Sequence, residues 1–166
     1  MKPNILLDLD NTLVYAIVPH KIYKYPSMVK HLFEDVLILE RPYLKEFLQT
    51  LNKYYNISVW TAAKRDYAEF IVSQILQKYH VRVYYLFDRQ HVQESLQYYG
   101  TMKNLDLLTN IYKIPMFIEN KNILVDDLVE ICQQKNLCLN VIPFIGQKDD
   151  VELLNKLDIL IQQHGY

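Results

Sequence analysis

Two aspartates one residue apart, Asp8 and Asp10, close an apolar run, Ile5-Leu6-Leu7. Further along, Thr61 follows Ile57-Ser58-Val59-Trp60, and the pair Asp126-Asp127 follows Ile123-Leu124-Val125. One aspartate after an apolar run means little, because turns favour it. Three such endings suggest that distant segments deliver carboxylates and a hydroxyl to one place. Two unit charges about 4 Å apart repel by roughly 4 kcal/mol at an effective dielectric near 20, so four gathered carboxylates require a cation. Donors that are all oxygen favour a hard ion, and few carboxylates completed by water suit Mg2+ better than Ca2+. Lys103, just after the turn signal Gly100-Thr101, is the candidate for a fixed positive charge. Asp8, Asp10, Asp126 and Asp127 with one divalent ion and Lys103 keep a net charge of -1 before any phosphate enters. One carboxylate is therefore expected to take up a proton. A protonated Asp10 can donate to a leaving oxygen while Asp8 attacks phosphorus.

The elements that must position these groups follow from the hydrophobic pattern. Asn4 to Asp10 reads as a short buried strand, and residues 13–40 as an excursion with one or two short strands. Pro42 suits a helix first turn, and Leu44, Phe47, Leu48 and Leu51 fall at helical spacing over 43–54. Strands are expected over 57–61, 81–87, 122–126 and 137–142, and helices over 64–79, 128–135 and 149–163 with a helical stretch opening at Lys103. Residues 88–102 lack a clean period and read as an active-site loop or small insertion. Strand and helix alternate, which implies an α/β fold with a mostly parallel central sheet and helices on both faces. Ligands of such sheets bind beyond the carboxyl ends of the strands. With 166 residues and no linker or repeat, residues 1–166 read as one domain.

Composition removes several alternatives. The chain has three glycines, Gly100, Gly146 and Gly165, so no glycine-rich nucleotide loop can be written. None of the four serines sits in GxSxG, and neither Cys132 nor Cys138 opens a CxxxxxR phosphate loop. The two cysteines read as small apolar residues in a reducing compartment, and no signal-peptide pattern precedes the first strand. An intracellular location, nuclear or cytoplasmic, is expected. Apolar runs are too short to span a bilayer, and a net charge of -1 argues against strong nucleic-acid binding.

The segment Asp8-Leu9-Asp10-Asn11-Thr12-Leu13-Val14 resembles the DxDxT signature of the haloacid dehalogenase (HAD) superfamily, and Thr61, Lys103 and Asp126-Asp127 resemble its remaining three motifs in order. Within it the chain is similar to the FCP/SCP-type phosphatases and their Dullard-like relatives. Leu39-Glu40-Arg41-Pro42, Trp60-Thr61-Ala62-Ala63 with Tyr67-Ala68, Phe87-Asp88-Arg89-Gln90-His91 and Met102-Lys103 carry that likeness, as do Pro143-Phe144 and Asp149-Asp150. It departs at Asn11, where that subfamily usually has glutamate, at Val92 for cysteine, and at Asp127, where small members usually have asparagine.

The resemblance implies a Rossmannoid three-layer fold with a small insertion and a Mg2+-dependent monoester hydrolase working through an aspartyl-phosphate. By carry-over Asp8 is the nucleophile and a metal ligand. Asp10 is the general acid then base, with its backbone carbonyl on the metal, and Asp126 and Asp127 are further ligands. Thr12 would orient Asp10, Thr61 and Lys103 would hold phosphoryl oxygens, and Arg89 would meet a second substrate phosphate. The substrate implied is a phosphoserine protein of the RNA polymerase II C-terminal domain type, handled by a monomer. A phosphatase of nucleotides or nucleic-acid ends and a catalytically silent binding module are the alternatives. Tyr98-Tyr99 would offer an aromatic wall to a proline of an extended peptide.

Overall fold

The computed structural model describes residues 2–131 and 137–163. Five strands form the central sheet in the order β6-β5-β1-β7-β8: β1 (Asn4–Leu7), β5 (Asn56–Trp60), β6 (Val83–Phe87), β7 (Asn122–Asp126) and β8 (Cys138–Asn140). Every pairing in it is parallel. Parallel strands are covered on both faces, and side chains alternate accordingly. Ile5, Leu7, Ile57, Val59, Ile123 and Val125 face one core, together with α1 (Leu44–Tyr54), α2 (Arg65–Ile71) and α5 (Glu152–Gln163). Leu6, Trp60 and Leu124 face the other, together with α3 (Arg89–Tyr99) and α4 (Pro115–Glu119). The expected three layers are therefore present. The chain leaves β1 toward β5 and β6 on one side and returns to β7 and β8 on the other, which places the reversal of strand order between β1 and β7.

The lower end of the second face carries a row of amides. Asn56 Nδ2 donates to Asn4 Oδ1 at 3.2 Å, Asn4 Nδ2 to Asn122 Oδ1 at 2.8 Å, and Asn122 Nδ2 to the Phe117 carbonyl at 2.7 Å. These three residues are register partners across β5, β1 and β7.

Residues 13–40 form more than one or two short strands. A separate antiparallel sheet, β2-β4-β3, is built from β2 (Val14–Ile17), β3 (Lys30–Phe33) and β4 (Val36–Glu40). Ile17, Leu37 and Leu39 pack with Phe144 on one side of it. Arg41, fully enclosed after β4, ties that segment to the loop after β1. It holds Asp150 through Nε and Nη2 at 2.9 Å each and donates to the Thr12 carbonyl at 3.0 Å.

Several boundaries differ from expectation. Pro42 lies in a turn before α1, whose preceding residue Tyr43 has a left-handed φ of 65°. The expected helix 64–79 is α2 followed by a wider π-helical segment, Val72–Leu76. The stretch opened by Lys103 holds a π-helical turn, Leu107–Ile111, and then α4. Residues 89–99, read as loop or small insertion, are the helix α3 and belong to the main body. Of the helix expected over 128–135, a 3-10 turn at Val129–Ile131 is described; residues 132–135, Cys132 among them, lie outside the described residues.

Candidate active site

One step past the last register pair of β1 with β7, Leu7 with Val125, come Asp8 and Asp126. Backbone pairing continues there, Asp8 N donating to the Val125 carbonyl at 3.0 Å. Both carboxylates thus arrive at the carboxyl end of the sheet beside the reversal of strand order, where α/β sheets bind ligands. Lys103 comes in from the layer on that face. It is placed by α3, since Ser95 Oγ donates to the Thr101 carbonyl at 2.6 Å and accepts from Asn104 N at 2.9 Å. Its Nζ, on a residue 3% exposed, donates to Asp8 Oδ1 at 2.8 Å and to Asp126 Oδ2 at 2.5 Å.

Asp8, Asp126 and Asp127 each offer a carboxylate oxygen within 4.8 Å of the others. An all-oxygen set of three carboxylates at this spacing, already carrying more negative charge than Lys103 can offset, fits a hard divalent cation. Asp10 lies in the same pocket but directs its carboxylate elsewhere: Oδ1 accepts from the Tyr67 hydroxyl at 2.6 Å. Thr12 Oγ1 lies 3.0 Å from Asp8 Oδ2 and 3.2 Å from Asp127 Oδ1. Thr12 is expected to orient Asp10; in the structure its hydroxyl lies against the Asp8 and Asp127 carboxylates. Asn11 makes the turn between Asp10 and Thr12 with a left-handed φ of 63°, a conformation asparagine tolerates well. It is pinned there by Phe144, whose amide donates to the Asn11 carbonyl at 2.7 Å.

Burial decides the ionisation of the group. It raises the Asp8 carboxyl above its ordinary range, with Lys103 working in the opposite direction. It raises Asp10 as well, partly offset by the Tyr67 hydrogen bond, and it raises Asp126, with Asp8 adding to the effect. Burial also disfavours the Lys103 charge, but Asp8 and Asp126 outweigh it and hold the ammonium above the usual lysine range. Lys103 thus stays charged among carboxylates that retain protons more readily than free ones do.

The cavity over these groups encloses about 640 Å³. Thr61 lines it, with Oγ1 accepting from Ala63 N at 3.1 Å. Arg89 also lines it, exposed at the start of α3, its Nε donating to the Ala62 carbonyl at 3.2 Å. Asp88 caps that helix by accepting from Gln90 N, while His91 Nδ1 accepts from Asp88 N. The pocket's aromatic residues are Tyr15, Phe33 and Tyr67; Tyr98 and Tyr99, expected to form such a wall, are not among its lining residues. Sequence reasoning gave Tyr67 no role at the site. The available signals are its position in the helix directly after the Thr61 strand and its place beside Trp60-Thr61 in the family likeness. Phe33, Glu34 and Val36 reach the pocket from the turn joining β3 to β4.

A family described as NLI interacting factor-like phosphatase matches residues 3–165. A CTD phosphatase-like protein of Invertebrate iridescent virus 6 is 36% identical over 180 residues, covering 97% of this chain and 98% of the relative. Phosphatase Herzog of Drosophila melanogaster is 32% identical over 120 residues, 69% of this chain and 32% of its own. Among solved structures, fission yeast RNA polymerase II CTD phosphatase Fcp1 bound to beryllium fluoride superposes with a TM-score of 0.65 at 14% identity, covering 98% of this chain and 50% of that one. At that identity the likeness concerns the fold, and the chain spans about half the length of the solved protein.

Proposed function

The chain belongs to the NLI interacting factor-like phosphatase family, of the HAD type, and from that premise we propose a Mg2+-dependent phosphatase that hydrolyses monoesters through an aspartyl-phosphate on Asp8. The observation that carries this reading is Lys103 held between Asp8 and Asp126, with Asp127 and Thr12 completing the group. Asp8 presents a carboxylate oxygen for in-line attack on phosphorus, and Thr12 holds its other oxygen. Lys103 neutralises charge on the transferring group. Thr61 is the second group that holds a phosphoryl oxygen. Asp10, bonded to Tyr67 rather than to the other carboxylates, delivers the proton to the leaving oxygen and then removes one from the attacking water. Asp8, Asp126 and Asp127, with the Asp10 carbonyl, would hold Mg2+, which supplies Lewis-acid charge neutralisation when bound.

The substrate we assign is a phosphoserine in an extended protein segment, of the RNA polymerase II C-terminal domain type, with Arg89 meeting a second phosphate. Support comes from the CTD phosphatase-like relatives and from a cavity that opens between aromatic and charged side chains. No helix among the described residues is long and apolar enough to cross a membrane. Phosphate release from matched phosphopeptide and oligonucleotide substrates, with and without chelator, tests the assignment. Release from the peptide that chelator abolishes is expected. Release from the oligonucleotide alone would move the substrate class, and no release from either with Mg2+ present would reject catalysis.

Two outcomes follow for simpler measurements. Mg2+ at about 100 times its dissociation constant should stabilise the fold by about 2.7 kcal/mol, read as an upward thermal shift that Asp126→Asn diminishes. A shift of equal size in the variant would remove Asp126 from the ligand set. The pH profile should bear the mark of Asp10. A carboxyl raised by burial keeps its proton to higher pH, so kcat should fall only as pH rises past the ordinary carboxylate range. The Tyr67 hydrogen bond favours the ionised form, so Tyr67→Phe should move that alkaline limb further up. A limb that moves down, or stays, would separate Tyr67 from the acid.

A further inference from the structure

Glu40 ends β4 as a buried carboxylate, 6% exposed, outside the cavity. Two side chains close on it from different elements. His31 Nε2, from β3, lies 2.5 Å from Glu40 Oε2, and the Tyr79 hydroxyl, beyond the π-helical segment that continues α2, donates to Glu40 Oε1. Burial and the neighbouring carboxylate hold the Tyr79 phenol well above its ordinary range, so it remains the donor. The contact between His31 Nε2 and Glu40 Oε2 is then a second hydrogen bond on the same carboxyl group.

The cluster joins a sheet edge to the body. Among the described residues β3 pairs with β4 alone, and it carries Leu32 in solvent, 61% exposed. On the side facing the body, Phe33 follows His31 by two residues and meets Tyr67 and Phe70 with ring centroids 5.7 and 5.0 Å away. Phe33, Glu34 and Val36 at the turn are also one wall of the cavity.

We propose that Glu40 is a positioning residue: by clamping His31 and Tyr79 together it seats the β3–β4 hairpin on the α2 segment and keeps the cavity wall in place for an extended peptide substrate. This rests on reading the cavity as a peptide phosphatase site. Loss of the clamp frees the hairpin tip, while Tyr67 retains its own bond to Asp10 and the groups around Lys103 are untouched. A substrate too small to reach the wall should not register the change. A peptide should, because ordering the wall then has to be met on binding.

The test measures kcat and KM for a small aryl phosphate and for a phosphoserine peptide in Tyr79→Phe, His31→Ala and Glu40→Ala, with peptide affinity read separately on the Asp8→Asn background. A hydrogen bond to a charged group shifts a seating equilibrium by roughly tenfold or more. Tyr79→Phe and Glu40→Ala should therefore raise KM and Kd for the peptide about tenfold, with kcat and the aryl phosphate KM within about twofold. Combined, the two substitutions should raise KM little beyond Glu40→Ala alone, because they break the same contact. Amide exchange over residues 30–40 should accelerate in step. Peptide KM and Kd within twofold of the parent would overturn the proposal even if the melting temperature falls, since that pattern describes stability alone. Should Glu40→Ala fail to fold, Tyr79→Phe, which deletes one hydroxyl, decides the matter. Absence of aryl phosphate hydrolysis in the parent protein would count against the phosphatase reading instead, leaving the Kd and exchange measurements to judge the clamp.

Discussion

Asp8→Asn is expected to lower phosphate release by roughly five orders of magnitude or more, to the background rate, on every substrate the protein hydrolyses. An amide has no anionic oxygen to form the bond to phosphorus, so no aspartyl-phosphate can accumulate. The loss should be one of chemistry and not of folding. Asp8 is held above its ordinary pKa by burial, so its ionised form opposes folding at neutral pH, and an uncharged amide of the same shape removes that penalty. Lys103 keeps Asp126 as a partner at 2.5 Å. The melting temperature should therefore hold or rise while turnover disappears. Measurable turnover at a tenth of the parent rate would end the nucleophile assignment, and a collapsed melting transition would leave the activity loss without a chemical meaning.

Lys103→Met should damage both properties. The variant removes a positive group from the transferring phosphoryl, a change expected to cost about 3 kcal/mol, or roughly a hundredfold in kcat. It also strands Asp8 and Asp126, two enclosed carboxylates that share the ammonium in the parent protein. Breaking a buried ion pair from one side costs about 3–5 kcal/mol. Both carboxyls already sit above their ordinary values, and without Lys103 they move higher. Their folded forms then bind more protons than the unfolded chain does across a wider range, so stability declines as pH rises through that range. Urea denaturation at pH 5 and pH 8 should show the variant losing much more of its stability at the higher pH than the parent does. Equal losses at both would mean that the lysine is not what compensates these acids.

The legible parts of the molecule were those where one physical demand dominates. Strands β1, β5 and β7 are buried on both faces, which forces continuous apolar runs, and the acids that interrupt them are conspicuous for that reason. Lys103 is harder, since a single lysine after a turn has no signature of its own; it stands out through the need for a positive charge among the carboxylates and through the resemblance of Met102-Lys103 to the family's lysine motif. Helix α3 was missed because it buries little. Val92 and Ser95 are its buried residues, so no apolar stripe marks it, and its cap uses His91 where glutamate or glutamine is the usual signal. Tyr67 and Phe33 belong to the site through a contact between the β3–β4 turn and α2. For Phe33, spacing along the chain carries no trace of that. Thr12 illustrates a different limit: its hydroxyl lies against Asp8 and Asp127, and Asp127 is 115 residues away in the chain, a neighbour that local spacing does not reveal.

The amide row across β5, β1 and β7 works as a common zero mark for two carboxylates of the candidate site, Asp8 and Asp126. Counted from Asn4 and from Asn122, Asp8 and Asp126 stand at the same height, four residues on and about 13 Å away. A slide of β7 by one residue would break the amide chain at its foot and turn Asp126 to the opposite side of the sheet at its head. Alignment errors in the sheet are thus penalised at one end, and the benefit of correct alignment is collected at the other by chemistry that never touches the asparagines.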